Sequence, residues 1–331
     1  MALQNTQGRE YSKPNSANFD HRLADFMKAF HSSCLVCQSS QLKRLTPYYA
    51  KDYLVQCQNC RFVFAEKIPS PQELEAYYEG YGRNDYLSPL TVRRYEELLQ
   101  SWEKYRQTNR ILDVGCGIGY FLETAQKMGW EAYGTEYTER AVAICAAKGI
   151  SMQKGELNPD LYAPESFDII TSFEVIEHIN QPRAEMVKFY HLLRKGGAVY
   201  ITTPNFNSML RYYLKECYNV IAYPEHLSYY TPATLELLMQ TAGFKKVWIK
   251  TTGISPMRLT SSLRAKAQQD DAHAATISES PPVYIAPTSL DERLRRSFES
   301  NLLMSMVKNS INGILSLLGV GDSLKGLFIK V

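Results

Sequence analysis

The chain of 331 residues lacks any apolar run approaching the roughly 18–20 residues of a membrane span, so no membrane-spanning helix is expected. It also lacks an excess of charge of either sign: 37 basic and 34 acidic residues leave a net +3. No dense Lys/Arg run appears, and a field this weak argues against a nucleic-acid partner. Residues 1–18 are polar, without the apolar stretch of a secretory leader. With no export signal, the seven cysteines point to reduced thiols and metal ligation rather than disulfides, and a cytoplasmic location is expected. The remaining composition, 45% hydrophobic and 21% charged, is that of a globular chain long enough for one α/β domain and a smaller module.

Four of the cysteines form two matched pairs, Cys34-x-x-Cys37 and Cys57-x-x-Cys60. Each pair suits a tight turn that aims two sulfurs at one tetrahedral ion, the pattern of a zinc ribbon over residues 31–66. Four thiolates fill the coordination sphere of zinc, so the metal is expected to be structural. A redox role fits less well, because no thioredoxin-like βαβ pattern surrounds the pairs.

A second motif lies in Ile111-Leu112-Asp113-Val114-Gly115-Cys116-Gly117-Ile118-Gly119-Tyr120. An apolar strand ends here in an acid and turns through alternate glycines into an amphipathic segment. Such glycines let backbone approach a ligand where a side chain would block it. The next apolar run, Ala132-Tyr133-Gly134-Thr135, ends at Glu136, whose carboxylate suits the two hydroxyls of a ribose. In the dinucleotide pattern G-x-G-x-x-G the loop receives a pyrophosphate. Here the third glycine comes one residue early, and Asp113 would repel a pyrophosphate while suiting an ammonium.

Further strands are expected at Arg110–Val114, 152–154, Phe167–Phe173, 197–203, 245–250 and Ser323–Lys330, with helical spacing over 90–107, 120–128, 138–148 and 232–242. Thr138 is the expected N-cap of the third of these helices. Near-continuous apolar strands alternating with helices mean an α/β fold with a parallel sheet covered on both faces. In such sheets ligands bind beyond the strand C-termini, where Asp113, Glu136, Glu156 and Phe173 all fall.

D-x-G-x-G-x-G followed by a later acid resembles motif I of the class I S-adenosylmethionine (SAM) methyltransferases. That resemblance implies a Rossmann-like sheet of seven strands, mostly parallel with the last antiparallel. It implies a SAM site made by Asp113, Gly115, Cys116, Gly117, Gly119, Glu136, Tyr137 and Phe173, with Glu156 and Leu157 at the adenine. The ribbon followed by F-V-F…P-S-P-x-E-L…Y-x-x-G-Y is similar to the front of bacterial methyltransferases of sugar and surface-polysaccharide pathways. A sugar hydroxyl or carbon on a nucleotide-linked, lipid-linked or polysaccharide acceptor is then the expected substrate. A helical linker or lid over 67–108 would bring Tyr81 and Tyr86 over the site, or pack the ribbon onto the main domain.

Methyl transfer needs an aligned nucleophile and, for a hydroxyl, a base. The candidates are His178, in Glu174-Val175-Ile176-Glu177-His178, and His226, in Glu225-His226-Leu227, with Glu177 beside them. The E-x-x-E-H order also resembles ubiquinone-pathway O-methyltransferases, in which it is associated with a divalent cation. A phenol or quinone precursor is therefore the alternative acceptor, and a non-catalytic SAM-fold binding protein the alternative of another class. The many tyrosines of 205–230 suit a lid stacking on the acceptor, or packing against the sheet. Residues 256–320 are read as a mobile, partly helical insertion before the last strand. Within it, 291–318 is a helical stretch expected to pack on the domain or a second copy, or to touch a membrane surface.

Overall fold

The computed structural model describes residues 29–79, 87–255, 258–260, 262–263 and 302–331. Tyr81, Tyr86 and residues 291–301 therefore lie outside the described residues. The main sheet has seven strands: β4 (Arg110–Val114), β5 (Glu131–Glu136), β6 (Ser151–Lys154), β7 (Phe167–Phe173), β8 (Leu193–Pro204), β10 (Phe244–Thr252) and β11 (Ser323–Lys330). Their order is β10-β11-β8-β7-β4-β5-β6. Strand β4 lies parallel to β5 and β7, while the final strand β11 runs antiparallel between β8 and β10. The chain thus reverses its direction of strand addition at β4, where the glycine loop leaves the sheet, which is where such folds open a crevice.

Side-chain alternation divides the core between two faces. Leu112, Ile170, Val199 and Phe328 pack with Met186, Phe189, Leu235 and Leu238 from the helices Pro182–Leu192 and Pro232–Thr241. Their strand neighbours Ile111, Ile169, Ala198 and Leu327 pack instead with Leu99, Trp102 and Phe121. The helix Pro89–Ser101, which carries Leu99, is shorter than the pattern over 90–107 suggests. It ends where Trp102 turns inward, and a 3-10 turn, Glu103–Tyr105, follows. The fully buried Asp168 fixes the next stretch: its carboxylate accepts from the amides of Gln107 and Asn109, each at 2.8 Å, and from the Arg194 guanidinium.

Strand β8 begins at Leu193, earlier than the glycine pair at 196–197 suggests. A register shift on β7 absorbs the irregularity, and a Cβ on Gly197 would stand 2.8 Å from the Asp168 carbonyl oxygen. Thr138 occupies the N-cap position of the helix Glu139–Ala147, but its side chain caps nothing. Glu136 Oε1 accepts from the amides just before the helix, those of Tyr137 at 2.9 Å and Thr138 at 3.4 Å.

The cysteine-bearing module forms a second sheet from β1 (Leu42–Arg44), β2 (Leu54–Cys57), β3 (Val63–Ala65) and β9 (Ser228–Tyr229). Its fourth strand comes from the segment that follows β8 in the main domain: Val63 pairs with Tyr229 and Phe64 with Ser228. Tyr48, Leu54 and Val63 share a core with Leu210, Tyr218, Leu227 and Tyr229. Of the two readings of 205–230, packing holds for most of its tyrosines. Tyr218, Tyr229 and Tyr230 are buried, the Tyr223 ring packs against Tyr53, and only Tyr212 and Tyr213 of the six stand exposed.

The helix Leu302–Leu318 is anchored on β10, where Thr251 Oγ1 donates to the Leu315 carbonyl at 2.8 Å. Among its residues from Met306 onward only Leu315 is buried, while Ile311, Ile314 and Leu318 are exposed. No described helix is long and apolar enough to cross a membrane.

Candidate active site

Gly115, Gly117 and Gly119 all take positive φ, +72°, +55° and +77°, which other residues adopt only with strain. At two of them the closest neighbours are the protein's own. A Cβ at Gly115 would stand 2.6 Å from Val175 Cγ2, and one at Gly119 2.7 Å from Cys145 Sγ. Their bareness lets the loop sit down on the turn after β7 and on the helix Glu139–Ala147. The loop is tied to β5: the amides of Gly115 and Cys116 donate to the Thr135 carbonyl, and the Gly117 amide donates to Glu136 Oε2 at 2.9 Å. Glu136 is thus held at the C-terminal end of β5 by backbone donors on both carboxylate oxygens.

Asp113 is buried and accepts a hydrogen bond from Thr171 Oγ1 at 2.7 Å. Burial pushes its carboxyl up to about 8; the Thr171 hydroxyl opposes the shift and the charge of Glu136 adds to it. Phe173 ends β7 against Phe121, ring centroids 4.9 Å apart. Cys116 lies under the loop with its Sγ near the missing side chain of Gly134. Of the other expected SAM contacts, Tyr137 and Glu156 are exposed at the ends of β5 and β6, and the Leu157 side chain belongs to the core.

Directly after β7 the chain makes a 3-10 turn, Ile176–His178, preceded by Glu174 at φ +53°. Glu177 is buried and accepts from Thr203 Oγ1 at 2.9 Å, while its carbonyl receives the Leu227 amide at 2.7 Å. That bond draws in the segment carrying His226. His178 Nδ1 meets the Glu225 carbonyl at 2.7 Å, and His226 Nδ1 meets the Val220 carbonyl at 2.6 Å. A carbonyl only accepts, so each Nδ1 carries the proton and each ring turns its basic nitrogen, Nε2, the other way. The two rings lie 4.8 Å apart, and ligand atoms of Glu177, His178 and His226 fall within 4.8 Å of one another. Glu174, part of the expected cation set, is not in this group.

Burial drives His226 down to about 4, helped by the Arg258 charge and opposed by its bond to Val220, so the ring is neutral at pH 7. Burial and the neighbouring charge of Glu174 raise the Glu177 carboxyl well above its ordinary range. Neither Glu177 nor His178 caps the helix Pro182–Leu192, whose N-cap, Gln181, makes no side-chain cap hydrogen bond either.

The four paired cysteines also converge. Cys34 and Cys60 lie 3.5 Å apart, as do Cys37 and Cys57, and all four sulfurs fall within 4.8 Å of one another. Tetrahedral zinc with ordinary Zn–S bonds holds sulfurs roughly 3.8 Å apart. The donor set and spacing fit that ion.

The sequence brought Asp113, Glu136, the glycines and the four paired cysteines to notice, but not Thr171 or Thr203. These hydroxyls orient the two buried acids from neighbouring strands, and only strand pairing could have revealed them.

Residues 86–248 match a family model described as a methyltransferase domain. Ubiquinone biosynthesis O-methyltransferase of Sinorhizobium fredii is 31% identical over 102 residues, 29% of this chain and 41% of that protein. Its namesake in Aeromonas salmonicida is 27% identical over 147 residues, 40% of this chain and 62% of that one. The chain thus spans about half the length of these curated relatives. Among solved structures, a SAM-dependent methyltransferase of Archaeoglobus fulgidus aligns with a TM-score of 0.46 at 18% identity, covering 73% of this chain and 93% of that one. Over residues 86–248, just under half of its length, the chain is thus similar to that methyltransferase family model.

Proposed function

We propose that the protein transfers the methyl group of SAM to a hydroxyl oxygen, with a phenol or quinone precursor as the acceptor class. The observation that carries this reading is the convergence of Glu177, His178 and His226 immediately beyond β7, beside the strand ends that hold Asp113 and Glu136. The relatives' names, O-methyltransferases of ubiquinone biosynthesis, support oxygen as the nucleophile. In the reaction the sulfonium S–CH3 bond breaks as O–CH3 forms, and the hydroxyl proton passes to His178 Nε2. The chain's work is to align the two reactants and to receive that proton.

The same three side chains fit a divalent cation, because each imidazole is already in the tautomer that presents Nε2 and the carboxylate is anchored by Thr203. Such a cation would polarise the acceptor oxygen. A sugar hydroxyl is the second acceptor reading, the one that the resemblance of the cysteine-bearing front of the chain favours. A transfer assay with methyl-labelled SAM tests these readings, run with catechol and with a nucleotide sugar, before and after chelation. Transfer to catechol supports the first acceptor. Transfer only to the sugar supports the second, and a loss on chelation restored by magnesium but not by zinc favours the metal at Glu177, His178 and His226.

Two predictions concern the cofactor end. Glu136→Ala removes a charged acceptor for the ribose and should weaken SAM binding by about 1–3 kcal/mol in calorimetry; unchanged affinity would remove Glu136 from the site. Asp113 gives a pH signature. Its carboxyl sits at about 8 in the free protein, against about 3.9 unfolded. The stability tied to its neutral form is therefore full below about pH 4 and is lost as pH rises through about 8. A cationic ammonium beside it favours the carboxylate, so SAM binding near pH 7 should expel a proton. Calorimetry in buffers of different ionisation enthalpy should show that release in wild type and not in Asp113→Asn.

A further inference from the structure

The helix Leu302–Leu318 is packed inside out. Polar side chains bond it to β10: Asn312 Oδ1 accepts from the Gly253 amide at 2.9 Å, and Ser316 Oγ from the Thr251 amide at 3.4 Å. At roughly 3.6 residues per turn, Asn312, Leu315 and Ser316 share one side of the helix. Val307, Ile311, Ile314, Leu317 and Leu318 fall on the other, and each is exposed, Leu317 by 87%. An amphipathic helix ordinarily turns its apolar stripe to the core. Among the described residues, nothing covers this one.

The apolar surface continues past the end of the helix. Asn207 Nδ2 donates to the Gly319 carbonyl at 3.1 Å and the Met209 amide to the Val320 carbonyl at 2.9 Å. These bonds set the helix Met209–Leu214 beside it, with Met209, Tyr212 and Tyr213 exposed. A continuous apolar surface of this kind marks an interaction site, where scattered single residues would not. Its charge has one sign. Over 205–216 and 302–321 the chain carries Arg211, Lys215 and Lys308 against Glu216 alone. Arg211 lies over the Tyr212 ring, 4.2 Å from its centroid. Asp322, next along the chain, is buried and accepts from Ser208 and from the Ser255 amide.

We infer that this surface docks on an anionic lipid bilayer. The apolar side of Leu302–Leu318 lies in the interface, Tyr212 and Tyr213 sit at headgroup level, and Arg211 and Lys215 meet the lipid phosphates. A helix lying in the interface plane needs an apolar face and flanking cations, with no membrane-spanning length, and tyrosine rings suit the headgroup layer. A second copy of the chain fits less well. A two-fold contact would press this surface on itself and set its cations against like charge. The docking surface also adjoins the proposed site. Two residues after Thr203, which holds Glu177, the Asn205 side-chain amide donates to the Gly319 and Gly321 carbonyls at 3.0 and 2.7 Å. The inference does not rest on the methyl-transfer reading.

Sedimentation of the full chain with extruded vesicles tests it, using phosphatidylcholine alone and an equal mixture with phosphatidylglycerol. Wild type should bind the mixed vesicles about tenfold tighter than the neutral ones, and added salt should weaken that binding. The Ile314→Ser, Leu317→Ser double variant should lose binding by about tenfold or more with an unshifted melting temperature, since both side chains are exposed. No sedimentation of wild type with either vesicle overturns the inference, as does equal binding to both; these two readings need no variant. A folded double variant that binds like wild type also overturns it. So does a wild-type dimer, seen by analytical ultracentrifugation without lipid, that the double variant converts to monomer, which would assign the face to a second copy.

Discussion

Replacing His178 with alanine should lower turnover by about 10²–10⁴ while leaving SAM affinity unchanged, the size expected when a general base is removed. The expectation rests on geometry. The ring sits on the turn that leaves β7, and its Nδ1 proton is committed to the Glu225 carbonyl at 2.7 Å. Nε2 therefore carries the lone pair that can take a proton from the acceptor. SAM affinity should survive because Asp113 and Glu136 are held by Thr171 and by the glycine loop, without help from His178. Single-turnover transfer and calorimetry on the same variant separate the two quantities. A fall in affinity with unchanged turnover would move His178 from the acceptor side to the cofactor side. His226→Ala is less clean as a probe, since it also breaks the bond to Val220 that shapes its own loop.

Cys57→Ser should cost the protein the zinc that the four cysteines are proposed to hold, melt the ribbon and abolish transfer while SAM still binds. Structural zinc in small modules contributes about 10–16 kcal/mol of apparent binding free energy near neutral pH, and that free energy is folding free energy. Cys57 ends β2, β2 pairs with β3, and β3 pairs with β9, which begins two residues after His226. Loss of the metal would thereby reach His226, one of the three residues of the proposed site, through backbone hydrogen bonds. The contact at His31, whose Nε2 meets Asn180 Oδ1 at 2.7 Å, ties the front of the module to the turn after His178 as well. Metal analysis, hydrogen exchange over 34–65 and the transfer assay check the three parts. A Cys57→Ser protein without zinc but with normal turnover would show that the ribbon does not support the site.

This linkage was not legible in the sequence, and the reason is physical. Strand β9 is two residues long and has no periodicity to read; it exists because β3 offers it an edge. The same contact explains why tyrosines that suggested a lid are core, since Tyr218 and Tyr229 fill the space between the ribbon and the helix Met209–Leu214. The main sheet was far easier. Residues 110–114, 167–173 and 323–330 stand where their apolar runs place them, and the acids that close the early runs land at the strand ends. The E-x-x-E-H turn lay between these cases. Its residues announced chemistry, but local spacing suggested Glu174 as the partner of Glu177 and His178. The fold supplies His226 instead, brought in by the bond from the Leu227 amide to the Glu177 carbonyl.

Every step above depends on SAM occupying the crevice at β4, and a calorimetric titration of the full chain with SAM tests that most directly. Saturable binding at one site per chain is expected, weakened in Glu136→Ala and kept in His178→Ala. No binding by the wild-type protein would contradict it.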